Sequence, residues 1–288
     1  MSDPRLRQKL DSGDFIAAPG IHDMITALIA NKLDVDVVYG SGYWVTASAY
    51  GIPDAGIATY TEMLSCMSRL AQVSDAAIIA DADTGYGGLL NVERTILGYE
   101  AAGITAIQLE DQEFPKKCSH SMQVRCISTK EMVKKVQVAC ASREDPQNTL
   151  IIARTDARKI ESLSQTLHRA AAYAKAGADI IFIESFRSED EMVEARKAIE
   201  LPMMVNMNDG GTSPMLSARE LQQMGFQIAI WPSFLPLASI QAVKDAIAAF
   251  QASGSSESSD IPLASFVGFS DLIGFDKVRD FNKRWGDD

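Results

Sequence analysis

The chain alternates between short apolar runs and longer segments in which apolar residues recur every three or four positions. The runs FIAAPGI, VDVVYGSG, AIIADAD, AIQLED, LIIARTDA, DIIFIES, MMVNM and IAIWPS contain few polar residues before their ends. Strands of this kind are buried on both faces, as in a parallel sheet, whereas half-exposed antiparallel strands alternate apolar with polar. Between them HDMITALIANKL, YTEMLSCMSRLAQV, NVERTILGYEAAG, STKEMVKKVQVACA and SQTLHRAAAYAKAG have helical spacing. Three units repeat one phrase, helix then Gly then strand: EAAGITAIQLED, KAGADIIFIES and QMGFQIAIWPS. The glycine reads as a left-handed residue just past a helix, turning the chain into the next strand.

Eight strands, each followed by a helix, predict an α/β fold, the (β/α)8 TIM barrel. A doubly wound open sheet is the competitor, but the strand count closes at eight and no GxGxxG follows the first strand. The barrel is assigned to residues 1–251, ASGSSESSD at 252–260 to a flexible linker, and 261–288 to a helical extension in which SDLIGFDKVRDFNKRW has helical spacing. A helix added after a closed barrel has no place in its inner core. It is expected to pack outside or be exchanged between subunits of a homo-oligomer, which would cover Phe275, Phe281 and Trp285.

The length of 288 residues suits one barrel. A net charge of −11 and a pI near 4.8 argue against nucleic acid or an anionic membrane as partner, so any attraction for an anionic substrate must be local. Cys66, Cys118, Cys126 and Cys140 show neither CxxC spacing nor a nearby His cluster, so no disulfide framework or zinc site is expected, in keeping with a reducing cytoplasm. The N-terminus lacks an apolar signal core, and no apolar run approaches the roughly 18 residues a membrane span needs.

In a barrel the chemistry sits at the C-terminal ends of the strands. Those ends read Ser41 and Gly42, Asp81 and Asp83, Glu110 and Asp111, Arg154 and Asp156, Glu184, Asn206 and Ser233: a ring of carboxylates with one arginine. In DADTGYGG the carboxylates of Asp81 and Asp83 precede a glycine turn, so both can reach one ion through water. With oxygen ligands and no His or Cys nearby, that ion is expected to be Mg2+, and Glu110 and Asp54 add to the set. The two longest gaps between strand ends run from 42 to 83 and from 111 to 156, so the loops after strands two and four are the extended ones. The second holds KKCSH, where Lys116, Lys117 and His120 would lower the thiol pKa of Cys118. Cys66, Cys126 and Cys140 read as packing residues, His22 as structural, and His168 as without a role.

Taken in order on an eight-fold β/α pattern, YGSG with the later GIPDAG, DADTGYGG, LEDQ followed by KKC-x-H, and ARTDA resemble the isocitrate lyase and phosphoenolpyruvate mutase superfamily. The KKC-x-H loop resembles the carbon–carbon lyase branch, the 2-methylisocitrate and 2,3-dimethylmalate lyases. The resemblance implies cleavage of a 2-hydroxy di- or tricarboxylate to an α-keto acid and a second carboxylate, with Mg2+ as cofactor, Mn2+ as substitute, and a tetramer. By the same resemblance Asp81 meets the ion directly and Asp54, Asp83 and Glu110 hold its waters. Ser41, Gly42, Tyr43 and Arg154 fix the keto-acid end, and Tyr39 handles the 2-hydroxyl proton. Cys118 protonates the departing carboxylate, with Lys117, His120, Glu184 and Asn206 around the distal end and Lys116 among the substrate-binding residues. Ser119 stands where the family loop has Gly, Tyr43-Trp44 where methylisocitrate lyases have small residues, and NMNDGG also departs from that type. Pro232 resembles the lyases, while Ser233 stands beside it. The alternatives are an oxaloacetate hydrolase, a carboxyvinyl-carboxyphosphonate phosphorylmutase-like enzyme, or a barrel that binds carboxylates without turnover.

Overall fold

A computed structural model of the chain describes residues 3–117, 124–257 and 260–286. Each of the eight apolar runs forms a strand: β1 (Ile16–Ile21), β2 (Val37–Gly40), β3 (Ala77–Asp81), β4 (Ala106–Glu110), β5 (Leu150–Thr155), β6 (Ile180–Ile183), β7 (Met203–Asn206) and β8 (Ile228–Trp231). They pair in parallel in sequence order, and β8 closes on β1. Around the barrel lie α1 (Arg5–Ser12), α2 (Met24–Lys32), α3 (Gly42–Tyr50), α4 (Tyr60–Val73), α5 (Leu89–Ala101), α6 (Thr129–Ser142), α7 (Leu163–Lys175), α8 (Glu189–Ala198), α9 (Ala218–Gln223) and α10 (Phe234–Ser253). The extension forms α11 (Phe266–Leu272) and α12 (Phe275–Trp285).

Because successive side chains of a strand point to opposite faces, one strand set builds two nested cores. Val37, Tyr39, Ala77, Ile79, Ala106, Leu150, Ile152, Ile180, Phe182, Met204, Ile228 and Ile230 fill the barrel interior. Their sequence neighbours Val38, Ile78, Ile107, Ile151, Ile181 and Val205 face the helices and pack with Met67, Leu70, Ile96, Val136, Tyr173 and Leu221. This is why the runs read as continuously apolar. The N-terminal end of the barrel is plugged by Leu6 of α1, which is fully buried within the inner core. Helix α1 carries too few apolar residues, Leu6 and Leu10 in RLRQKLDS, to register as a periodic segment.

Local chemistry sets the helix ends. Thr59 with Glu62, Ser128 with Glu131, Ser162 with Gln165 and Ser217 with Glu220 form capping boxes that start α4, α6, α7 and α9. The glycines of the repeated phrase, Gly103, Gly177 and Gly225, have φ of 91°, 111° and 89°, the left-handed turn expected from the sequence. The extension differs from a single helix: Gly274, at φ 87°, separates α11 from α12.

An ion pair ties the turn after β5 to α8. Arg158 donates to Glu191 from Nε at 2.9 Å and from Nη2. The guanidinium holds the Glu191 carboxyl below its ordinary pKa. A carboxyl with a depressed folded pKa stabilises the fold above its unfolded pKa of about 4.3, and that contribution is lost as pH falls through the folded value. Glu191→Gln should therefore lower the thermal midpoint at pH 7, and the gap to wild type should narrow as the pH drops below the carboxylate range. A gap independent of pH in calorimetry would assign the loss to packing.

Candidate active site

The inward register of the strands carries six polar side chains to the C-terminal rim: Tyr39 from β2, Asp81 from β3, Glu110 from β4, Arg154 from β5, Glu184 just past β6 and Asn206 from β7. All but Glu184 border a cavity of about 330 Å3 whose lining also includes Ser41, Tyr43, Asp54, Lys116 and Lys117. Of the expected metal and substrate residues among the described residues, all but Gly42, Asp83 and Glu184 line this cavity. Gly42, at the first turn of α3, borders Asp81. A Cβ built on Gly42 would lie 2.9 Å from Asp81 Oδ2, so only glycine leaves that oxygen room.

One end of the cavity is crowded with acid. Asp81 Oδ1 accepts from the Asp83 backbone N–H at 3.0 Å and from Gln108 Nε2 at 3.2 Å. Asp83 follows the strand in a left-handed conformation, φ 50°, as do Tyr86 at 57° and Ser185 beyond β6 at 66°. Lys116, expected to bind substrate, lines the cavity and turns inward: it is 4% exposed, hydrogen-bonded to Asp54 and ion-paired to Asp83 Oδ1 at 2.8 Å. The loop bearing Asp54 comes this close because Gly56, at φ 69°, leaves no Cβ against the Lys116 backbone nitrogen 3.0 Å away.

Burial opposes every charge in this cluster. It pushes the Asp83 carboxyl up to about 7, with Asp81 and Asp54 adding to it against the pull of Lys116. Burial, with Asp156 and Asp81, also raises Glu110 well above the usual carboxylate range. Burial disfavours the Lys116 ammonium, but Asp83, Glu110, Asp54 and Asp81 outweigh that and raise its pKa.

At the next strand Arg154 turns its Nε and Nη2 toward Asp156, at 3.0 and 2.9 Å. The two-pronged edge expected to grip a substrate carboxylate is thus taken by Asp156. Glu110 and Glu184 stand 3.6 and 3.7 Å away, and the guanidinium lies over the Phe182 ring. Glu184 accepts from the Ser185 backbone and from Asn206 Nδ2 at 3.0 Å. Asn206 Oδ1 and Glu110 Oε1 are buried without a hydrogen-bond partner among the described residues.

The facing wall was less legible in the sequence. Trp44 Nε1 donates to Ser233 Oγ at 3.0 Å, and Ser233 donates in turn to Asn208 Oδ1. Tyr43 packs edge-on against Trp44, and Ile230, Pro232 and Leu237 complete a partly apolar lining. Asp111, beside Glu110, faces the other way: it accepts from Tyr173 and Thr155 at 2.8 and 2.7 Å and serves the outer layer. Gln108 escaped notice altogether, although it is the one polar residue inside the apolar stretch AIQL.

Cys118 and His120, with Ser119 between them, lie outside the described residues. The stem of their loop is tied by a bridge between Gln112 and Cys126, by the Glu113 N–H donating to the Arg125 carbonyl at 2.8 Å, and by Gln112 Oε1, which accepts the Lys117 N–H at 2.9 Å. Lys117 is exposed at the cavity's edge. Burial raises the thiol pKa of Cys126, and that of Cys140 to about 11, in keeping with packing roles.

The acid end suits a hard dication bound largely through water. Among the described residues no three acidic, His or Cys side chains converge closely enough to hold an ion alone. Mg2+ does not require this, since it keeps several waters and takes one or two carboxylates. The rim gathers the carboxylates of Asp54, Asp81, Asp83, Glu110, Asp156 and Glu184 around two buried cations, Lys116 and Arg154. The raised proton affinity of Asp83 and Glu110 and the unpartnered Glu110 Oε1 mark where further positive charge is accommodated.

The profile of the phosphoenolpyruvate phosphomutase family matches residues 6–251, and the chain belongs to that family, within the phosphoenolpyruvate mutase and isocitrate lyase superfamily. It is 39% identical over 276 residues to a 2,3-dimethylmalate lyase of Eubacterium barkeri, covering 96% of this chain and 95% of the relative. It is 36% identical over 279 residues to a 2-methylisocitrate lyase of Aeropyrum pernix, covering 97% and 88%. Among solved structures, oxaloacetate acetylhydrolase in complex with 3,3-difluorooxalacetate superimposes with a TM-score of 0.92 at 28% identity, over 98% of this chain and 96% of that one. Phosphonopyruvate hydrolase in complex with oxalate and Mg2+ does so with a TM-score of 0.88 at 29% identity, over 99% of each chain. Family and lyase relatives together make the chain an enzyme, a carbon–carbon lyase. Among the described residues no helix is long and apolar enough to cross a membrane.

Proposed function

We propose that the chain is a Mg2+-dependent lyase that cleaves a 2-hydroxy di- or tricarboxylate, of the 2,3-dimethylmalate or 2-methylisocitrate type, to pyruvate or a related α-keto acid and a second carboxylate. The observation that carries this is one cavity with an acid end for a cation, a guanidinium beside it, and a partly apolar wall opposite. Asp81 would meet the ion directly, with Asp54, Asp83 and Glu110 reaching it through water; Mn2+ would substitute. Bound there, the ion supplies Lewis-acid stabilisation of negative charge on the substrate's oxygens.

The protein's own groups do the rest. The first turn of α3, which carries no side-chain cap at Ser41, offers the backbone N–H groups of Gly42 and Tyr43 to the keto-acid carboxylate. Arg154 adds positive charge beside that carboxylate. Tyr39 orients the 2-hydroxyl. A carboxylate of the acid end takes the 2-hydroxyl proton, the C2–O bond becomes the keto carbonyl as the C2–C3 bond breaks, and the electron pair left on C3 takes its proton from Cys118, whose thiolate regains one from solvent. Lys117 and His120 offset the charge of the departing carboxylate, with Glu184 and Asn206 beside it. The wall of Trp44, Pro232 and Leu237 suits alkyl substituents, which favours a dialkylmalate over a tricarboxylate.

The test is product release from 2,3-dimethylmalate, 2-methylisocitrate, isocitrate, oxaloacetate and phosphonopyruvate, with Mg2+ and with chelator. Turnover of 2,3-dimethylmalate that chelator abolishes supports the reading. Oxalate and acetate from oxaloacetate alone would make the chain a hydrolase, and turnover only of phosphonates would make it a mutase.

The second part of the reading concerns assembly in the cytoplasm. Phe275, Val278, Phe281 and Trp285 of α12 are exposed on the single chain, and a second copy of the chain is the proposed cover, by exchange of C-terminal helices in a homotetramer. Phe281→Asp with Trp285→Asp should lower the mass measured by light scattering. An unchanged mass would remove α12 from the interface.

A further inference from the structure

We propose that Gln108 is a positioning residue that sets the orientation of both Asp81 and Tyr39 through a single buried amide. Gln108 lies in the middle of β4, fully buried, and does not line the cavity. Its Nε2 donates to Asp81 Oδ1 at 3.2 Å, and its Oε1 accepts from the Tyr39 hydroxyl at 3.2 Å. The carboxylate dictates which way the amide faces: turned over, the amide would set its carbonyl oxygen against Asp81 Oδ1, two acceptors with no proton between them. With Nε2 fixed on Asp81, Oε1 must face Tyr39, and Tyr39 must donate.

Two consequences follow for the site. Asp81 Oδ1 is held by two donors, Gln108 and the Asp83 N–H, so the carboxylate cannot rotate, and Oδ2 is presented beside Gly42 at the cavity. The Tyr39 proton points away from the cavity toward Gln108, leaving the phenol oxygen as an acceptor for a substrate hydroxyl. With its proton committed to Gln108, Tyr39 is placed to orient the 2-hydroxyl as an acceptor. Burial and the nearby Asp81 also raise the Tyr39 pKa.

The inference rests on the reading of Asp81 as the ion's direct ligand. Mn2+ binding to the metal-free protein, measured by electron paramagnetic resonance, separates it from the question of substrate. Gln108→Met keeps the volume and removes both bonds. It should weaken Mn2+ binding on the order of 10–100-fold, the usual range for groups that orient a metal ligand, and lower kcat while KM changes less. Tyr39→Phe removes only the far end of the chain and should keep Mn2+ affinity within about twofold while kcat falls. Wild-type Mn2+ affinity in Gln108→Met overturns the proposal, and so does equal loss of affinity in both variants. If Gln108→Met does not fold, Gln108→Asn, too short to span Asp81 and Tyr39, should weaken Mn2+ binding in the same way, and wild-type affinity there overturns the proposal. A wild type that binds Mn2+ but cleaves none of the acids sinks the proposed lyase and leaves the Gln108 role to the Mn2+ measurement; a wild type that binds no Mn2+ overturns both.

Discussion

Asp81→Ala is expected to abolish metal-dependent turnover, with a loss of at least about 10^3-fold in kcat, while the barrel stays folded. Asp81 sits at the end of β3 with one oxygen held by Gln108 and Asp83 and the other beside Gly42. No neighbour can replace it. Asp83 and Asp54 are engaged by Lys116, and Glu110 stands one strand further on. The substitution also removes negative charge next to Asp83, so the fold should tolerate it well, because Asp83 is already pushed upward by burial and by Asp81. Keto-acid release with Mg2+ and with chelator, beside a thermal melt, checks both halves. Residual activity that chelator does not affect would remove the metal from the mechanism.

The second large effect is expected at Cys118. Cys118→Ser should reduce kcat by about 10^2–10^4-fold, the usual worth of a positioned proton donor, and leave Mn2+ binding and the thermal midpoint unchanged. A serine hydroxyl gives up its proton far less readily than a thiol, so bond cleavage would proceed without efficient protonation of the departing carbon. Exchange of solvent deuterium into the released acid gives a separate reading of that step. Near-normal turnover would assign proton delivery to another group.

The strands were legible because burial on two faces leaves an unbroken apolar run, and Asp81, Glu110, Arg154 and Asn206 were legible because the last inward position of such a run is where polarity first returns. The residues that surprised are those whose roles depend on a neighbour from elsewhere in the chain. Lys116 looked like one of the positive charges set around Cys118; only the approach of the Asp54 loop shows that it turns inward. Arg154 looked ready for a substrate, and nothing in ARTDA says that Asp156 takes its edge. Gln108 carried a signal, a polar residue inside an apolar strand, but its purpose needs Tyr39 from one strand and Asp81 from another. The link from Trp44 to Ser233 spans almost the whole barrel sequence. Helix α1 was missed for a different reason, since a helix that plugs a barrel end needs only one deeply buried side chain.

The left-handed residues at the rim bear on how the protein could be engineered. Asp83, Tyr86 and Ser185 hold positive φ without being glycine, and all three lie in turns just beyond β3 and β6. Non-glycine residues in such conformations cost on the order of 1 kcal/mol or more each. A screen for heat resistance would therefore find its easiest gains, glycine replacements, at the turns that aim the carboxylates. Thermostability sought there would be gained at the expense of turnover, whereas the N-terminal end plugged by Leu6 can be stiffened without touching the chemistry.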